Sequence, residues 1–271
     1  MTQQFRGGVA VITGAASGIG TGLARKAASL GMRLVLADVN APSLHAFAAT
    51  LDAEVLAVPT DVTQACALEA LAEQAWARFG GVDLLFNNAG LMATGFSWEI
   101  TPERFARCMD VNLGGVLNGI RSFVPRMLKD GRPGRIINTA SVGGFLPSPL
   151  MSPYSASKFA VVALTESLWG ELKMLKAPVD VHLLAPGPVL SGIFDDPFGD
   201  AGTNPATQEF VQTMREMQTR NGMTADELAE RAFAGIERND YWLIPHPEHL
   251  FDALEKRVEA IVAQKTPLGY F

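Results

Sequence analysis

Between Ser152 and Leu172 the sequence runs SPYSASKFAVVALTESLWGEL, an apolar stretch with helical spacing that holds one tyrosine, Tyr154, and one lysine, Lys158. The two are four residues apart, about one helical turn, so their side chains rise from the same face. A free phenol has a pKa of about 10 and is a poor base at neutral pH. A fixed ammonium beside it stabilises the phenolate and lowers that value. The pair therefore suits removal of a hydroxyl proton, as when a secondary alcohol gives up a hydride. The competing structural reading is a buried pair whose polar ends reach water.

Such a pair must be held by a scaffold. Short apolar runs recur along the chain: GGVAVIT (7–13), MRLVLAD (32–38), AEVLAVP (53–59), VDLLFN (82–87), RIINTA (135–140), VDVHLLA (179–185) and YWLIP (241–245). They are near-continuous, as strands buried on both faces must be. Helical segments lie between them, including TGLARKAASL, closed by Gly31, and QACALEALAEQAWARFGG. This alternation predicts an α/β fold: a doubly wound, Rossmann-type parallel β-sheet with helices on both faces.

The loop after the first strand reads TGAASGIG, Thr13–Gly20, and leads into a helix. Glycines let a backbone turn tightly and approach a ligand, and a helix N-terminus favours pyrophosphate. Asp38 ends the second strand about 20 residues further on, where a carboxylate can accept hydrogen bonds from an adenosine ribose. Asp38 could also serve only as a turn or helix cap. As a ribose ligand it would repel a 2′-phosphate, and Ser17, before Gly18, offers no positive charge to pair with one. NAD is favoured over NADP.

The bulk numbers bound the rest. With 271 residues, 48% hydrophobic and 18% charged, the chain can bury a large core. A net charge of −6 and no basic run argue against nucleic acid. No apolar stretch reaches the roughly 18 residues of a membrane span, and the N-terminus lacks a signal peptide's pattern. Cys66 and Cys108 have no CxxC spacing and read as small core hydrophobes in a reducing compartment, so a cytoplasmic protein is expected. One domain over 1–271 is expected. Its one irregular region, 191–208, reads as a substrate lid, extended to 216.

Further motifs fall in order: NNAG at Asn87–Gly90, Asn112 in VNLGG, Ser141 in NTASVGG and YSASK at Tyr154–Lys158. With the TGxxxGxG spacing they resemble the short-chain dehydrogenase/reductase family in its single-domain form, from about Val9 to the YWLIP strand. The resemblance implies that Gly14, Ser17, Gly18, Ile19 and Gly20 hold the cofactor phosphates and Asp38 the ribose. Asp61 and Val62 would meet the adenine, and Asn88, Ala89 and Gly90 would line the cofactor. Pro186, Gly187 and Val189 would pass the nicotinamide. Ser191 stands where the family often has Thr. Tyr154 would be the base, and Lys158 would lower its pKa and bind the nicotinamide ribose. Ser141 would hold the substrate oxygen, and Asn112 would bind a water where a helix opens. Dimers or tetramers are general in the family. Short stretches, GRPGRIINTASVGGF, APGPVLSGI and ERNDYWLIPHPE, look similar to bacterial dehydrogenases of benzylic alcohols in lignin-derived aryl ethers.

Three segments are expected to line the substrate pocket: 91–98, 142–151 and 191–208. They bring Leu91, Met92, Phe96, Trp98, Phe145, Leu146, Met151, Phe194 and Phe198, and no Arg or Lys. This predicts a bulky, uncharged alcohol or ketone, aromatic or alicyclic. His246 and His249 read as the start of a final surface helix, His45 as a helix-surface residue and His182 as a strand residue, so no metal is expected. Asp195, Asp196 and Asp200 read as solvating the lid. The segment 249–264 has an amphipathic helical pattern. The competing functions are a non-catalytic NAD(H)-binding redox sensor, which would be free to lose Tyr154, Lys158 or Ser141, and a ketoreductase of the same family acting on a smaller or a steroid- or terpenoid-type substrate.

Overall fold

Strands β1 (Val9–Thr13), β2 (Arg33–Asp38), β3 (Val55–Pro59), β4 (Leu84–Asn87), β5 (Gly134–Thr139), β6 (Val179–Leu184) and β7 (Trp242–Leu243) pair side by side in the order β3-β2-β1-β4-β5-β6-β7. This architecture comes from a computed structural model that describes residues 4–197 and 204–267. Every neighbouring pair is parallel. Parallel strands require crossovers, and helices supply them. These are α1 (Gly18–Ser29), α2 (Ala41–Ala48), α3 (Ala65–Phe79), α4 (Pro102–Met109), α5 (Gly115–Asp130), α6 (Ser152–Met174), α7 (Pro205–Asn221) and α8 (Ala225–Glu237), with α9 (Phe251–Val262) after β7.

Alternation along each strand divides its side chains between two layers. Ala10, Ile12, Leu34, Leu36, Leu84 and Phe86 pack with Leu23 of α1 and Leu228 and Phe233 of α8. Val9, Val11, Val35, Leu85 and Ile136 pack on the other face with Leu68 and Leu71 of α3 and Phe123 of α5. Both faces are thus covered, which is why the runs read as continuously apolar. The strand order reverses between β1 and β4. In such sheets the crevice beyond the strand ends at that point is where ligands bind.

Several expectations change in detail. The first strand begins at Val9 because the two glycines before it belong to a turn, with Gly7 at φ 76°. The last strand is only Trp242–Leu243. The region read as a loop is partly helix: a 3-10 turn at Gly192–Phe194 is followed by α7, which starts at Pro205 behind an Asn204 side-chain cap (Asn204 Oδ1 accepts Ala206 N–H, 3.0 Å). Phe198 and Asp200 lie outside the described residues. Cys108 is buried as expected, whereas Cys66 is exposed at the start of α3. The sheet-facing side of α3 falls instead on Leu68, Leu71, Ala72 and Ala75.

Candidate active site

The glycine loop turns where β1 ends. Gly14 has φ 65°, and a Cβ there would lie 2.8 Å from Ala89 Cα, so the loop touches the chain leaving β4. A Cβ on Gly20 would overlap the Gly14 carbonyl oxygen, so only glycine lets α1 start this close. Thr13, which sequence reasoning passed over, ties the two strand ends together. Its Oγ1 accepts the Asn88 and Ala89 N–H groups (2.9 and 3.1 Å), while Asn88 Nδ2 donates to Thr13 O at 3.0 Å. Ser17 precedes α1 without a side-chain cap, which leaves first-turn N–H groups open to an anion. Asp38 accepts Ala16 N–H on Oδ2 and Asn40 N–H on Oδ1, both at 2.9 Å. Each carboxylate oxygen keeps capacity for one hydroxyl more. These groups fit an adenine dinucleotide.

At the other end, Tyr154 and Lys158 emerge from the first turns of α6 and are buried. Lys158 Nζ donates to Thr139 O at 2.8 Å and lies 5.8 Å from the Tyr154 ring centroid. Ser141 follows β5 and starts a 3-10 turn: its Oγ accepts Gly143 N–H (3.1 Å) and donates to Pro186 O (3.4 Å). Asn112 sits in a π-helical segment, Asp110–Gly114, between α4 and α5. Its Oδ1 accepts Leu91 N–H (2.8 Å), and its Nδ2 donates to Leu91 O (3.0 Å) and Ser157 Oγ (2.9 Å). The asparagine thereby ties the loop after β4 to α6.

Burial dominates the protonation of the pair. It pushes Tyr154 up to about 12, with the Ser141 hydroxyl acting in the opposite sense, and pushes Lys158 down to about 8. In the chain alone, the desolvation of a buried phenolate is the larger effect on Tyr154.

One cavity of about 1200 Å³ joins the two ends. That exceeds the roughly 300–1,000 Å³ typical of a single small-ligand cleft, so a cofactor and a substrate can share it.

The short chain dehydrogenase family model matches residues 8–199. The chain belongs to this family. A short chain dehydrogenase/reductase from Burkholderia phymatum, solved in complex with NAD, is 39% identical, with a TM-score of 0.94 and 98% of each chain covered. The C alpha-dehydrogenase of Sphingobium sp. strain SYK-6 is 33% identical over 98% of this chain and 89% of its own length. A CLA biosynthesis dehydrogenase/reductase of Lactiplantibacillus plantarum is 32% identical over 98% of this chain and 96% of its own.

In this member of the family the cavity is lined by Gly14, Ser17, Gly18, Ile19 and Asp38, by Asp61 and Val62, and by Asn88, Ala89 and Gly90. Ser141, Tyr154, Lys158, Pro186, Gly187, Val189 and Ser191 line it too. Gly20 and Asn112 stand behind the wall, Gly20 under the glycine loop and Asn112 fully buried. Among the expected substrate contacts, Leu91, Met92, Leu146, Met151 and Phe194 face the cavity. Phe96 and Trp98 do not: they stack on one another (4.8 Å, 24°), and Trp98 is 79% exposed. Phe145 turns away to pack on Trp242.

Other lining residues were missed. Phe210, Met214 and Met217 come from α7 at helical spacing, a signal present in the sequence but hidden behind the Gly- and Pro-rich lead. Arg104 and Arg107 reach the cavity from α4, which lies outside the three segments expected to line it. Arg104 donates to Pro197 O (2.6 Å), whose oxygen also accepts Thr94 N–H (2.9 Å), while Arg107 lies 4.0 Å from the Asp61 carboxylate. His249 also lines the cavity, and His246 is 2% exposed, so the pair does not begin a surface helix. The described residues hold no His/Cys/Asp/Glu group that could bind a metal, and no helix among them is long and apolar enough to cross a membrane.

Proposed function

We propose that this chain is an NAD-dependent dehydrogenase that interconverts a bulky, uncharged secondary alcohol, aromatic or alicyclic, and its ketone. The observation that carries the reading is a single cavity with Asp38 at one end and Tyr154, Lys158 and Ser141 converging at the other. Oxidation removes a hydride from carbon and a proton from oxygen. NAD bound in the cavity supplies the hydride acceptor and a positive ring. Ser141 donates to the substrate oxygen and holds it against Tyr154. Tyr154, as phenolate, takes the hydroxyl proton, and in the reverse direction the phenol returns it. Lys158 is the fixed cation nearest that phenolate and hands the proton outward. Asn112 keeps the π-helical segment open beside it, where a relay water would sit. Ionising a ring pushed up to about 12 requires both positive charges, so the base is active only in the loaded enzyme.

Asp38 selects NAD, because its carboxylate would face a 2′-phosphate with no cation to offset it. The substrate end is apolar, walled by Met92, Leu146, Met151, Phe194, Phe210 and Met214. Of the arginines that line the cavity in the described residues, Arg104 is engaged with the Pro197 carbonyl and Arg107 lies 4.0 Å from the Asp61 carboxylate. The likeness to a C alpha-dehydrogenase supports a dehydrogenase reading. We extend the proposal to a lid over 191–216 and to assembly as a dimer or tetramer, supported by exposed Trp169, Trp242 and Ile261. Sedimentation velocity that finds only monomer removes the assembly from the proposal.

The test is absorbance of reduced cofactor on mixing the protein with secondary alcohols, from small aliphatic to bulky benzylic and steroidal, with NAD and with NADP. Turnover with NAD on a bulky member is expected. Better turnover of short 2-hydroxy acids than of aryl alcohols sinks the substrate reading. NAD binding without turnover on any member favours the sensor.

A further inference from the structure

His246 takes no part in the reaction above, yet it lies one peptide group from the serine that does. The Gly187 N–H donates to His246 Nδ1 at 3.2 Å. The carbonyl of that same peptide unit, Pro186 O, accepts Val142 N–H at 2.9 Å and the Ser141 hydroxyl at 3.4 Å. One flat amide thus has its N–H end held by the imidazole and its C=O end held by the serine and the residue after it. The side chain also packs close against the loop: a Cβ on Gly187 would be 3.1 Å from both Cβ and Cγ of His246. Pro186, Gly187, Pro188 and Val189 line the cavity beside Ser141.

We infer that His246, as a neutral imidazole, is a positioning residue that fixes the Pro186–Gly187 peptide and through it both Ser141 and the nicotinamide side of the cavity. An Nδ1 that accepts a backbone N–H has its lone pair in use, so the single proton of the ring is on Nε2. A second proton would have to enter at Nδ1 and would set one N–H against another. The peptide would then lose its anchor and rotate. Acid therefore loosens this wall independently of the Tyr154–Lys158 pair.

The surroundings keep the ring neutral. Burial lowers its proton affinity most, and His249 and Arg231 act in the same sense. Glu248 and the Pro188 carbonyl oppose them. Arg231 comes from α8, where it donates to Pro245 O at 2.6 Å, and the His249 ring centroid is 5.6 Å away in the turn Pro247–His249.

The inference rests on the dehydrogenase reading for its effect on cofactor, but the linkage itself can be measured without cofactor. His246→Asn places an amide oxygen near the Nδ1 position and cannot titrate, whereas His246→Leu removes the acceptor. In the cofactor-free protein, the Gly187 amide NMR signal is expected to follow the His246 ring titration and to stay flat with pH in His246→Asn. A Gly187 signal that ignores the ring titration overturns the proposal, whatever binds. With NADH, the dissociation constant of the natural protein is expected to rise on acidification toward a limit of about tenfold per pH unit, as for one required deprotonation. His246→Asn should flatten that rise and bind NADH more tightly than His246→Leu at pH 7.5. An acid limb identical in His246→Asn and the natural protein also overturns it. Failure to bind NADH at any pH, with the Gly187 signal still following the ring, counts against the dehydrogenase reading and leaves the positioning role standing.

Discussion

In the proposed reading Tyr154 and Asp38 each act through an ionised group, and each can be tested by removing that charge. Tyr154→Phe keeps the ring that packs in the cavity wall and deletes the proton acceptor. Turnover is expected to fall by at least about 10²-fold, the usual scale for general base catalysis, while NADH binding measured by fluorescence stays within a few-fold. Unchanged turnover would refute the assigned base. Asp38→Asn keeps size and deletes charge. The ratio of kcat/KM for NADP over NAD is expected to rise at least about tenfold, about 1.4 kcal/mol of relieved repulsion. A ratio that does not move would show that some other group selects the cofactor. The tyrosine, the lysine, the glycine loop and the acid were legible in the sequence because each is set by local spacing along one helix or one strand-loop-helix unit. His246 was not, because the group it holds is 59 residues away and nothing around PHPEH signals that contact. Arg104 was missed for the same reason: its cavity role is set by where α4 lies, not by its neighbours in sequence.

The elements were easier to foresee than their contacts. Continuous apolar runs identified the strands, whereas α7 was partly lost because the chemistry of its lead, rich in Gly, Pro and Asp, resembles a loop that simply continues. Helix packing was invisible. Gly22 lies within α1, where glycine costs about 1 kcal/mol relative to alanine. The structure supplies the reason for it: a Cβ there would overlap the Ala225 carbonyl at the start of α8. That end of α8 is fixed by a capping box, with Glu227 N–H donating to Thr224 Oγ1 (3.2 Å) and Thr224 N–H to Glu227 Oε2 (2.9 Å). Gly22→Ala should therefore lower stability by about 1–3 kcal/mol despite its better helix propensity, as overpacking does. A thermal melt that moves upward would mean the two helices separate freely.

For the whole molecule, the active-site lysine is a standing cost. Its pKa falls from 10.5 to about 8 on burial, so the folded chain holds this proton less tightly than the unfolded chain. The cost is full below about pH 8 and is relieved as pH rises toward 10.5. Lys158→Met should abolish turnover and yet stabilise the cofactor-free protein at pH 7 by up to about 3 kcal/mol, less the loss at the unpartnered Thr139 carbonyl. The gain should shrink by pH 10, and denaturant titrations at the two pH values read it directly. A variant less stable at pH 7 would show that the lysine's contacts outweigh its desolvation. The joining of α1 to α8 has a further consequence, in time rather than energy. Leu23, Ala24 and Ala27 are covered by Leu228, Ala229 and Ala232, and the Arg25–Asp226 ion pair beside them spans 201 residues. At about 5–20 residues per second, a ribosome would leave that strip of α1 bare for roughly 10–40 s. The helix that follows the glycine loop is thus among the first made and the last covered, and nascent chains stalled before α8 should be the species that chaperones hold.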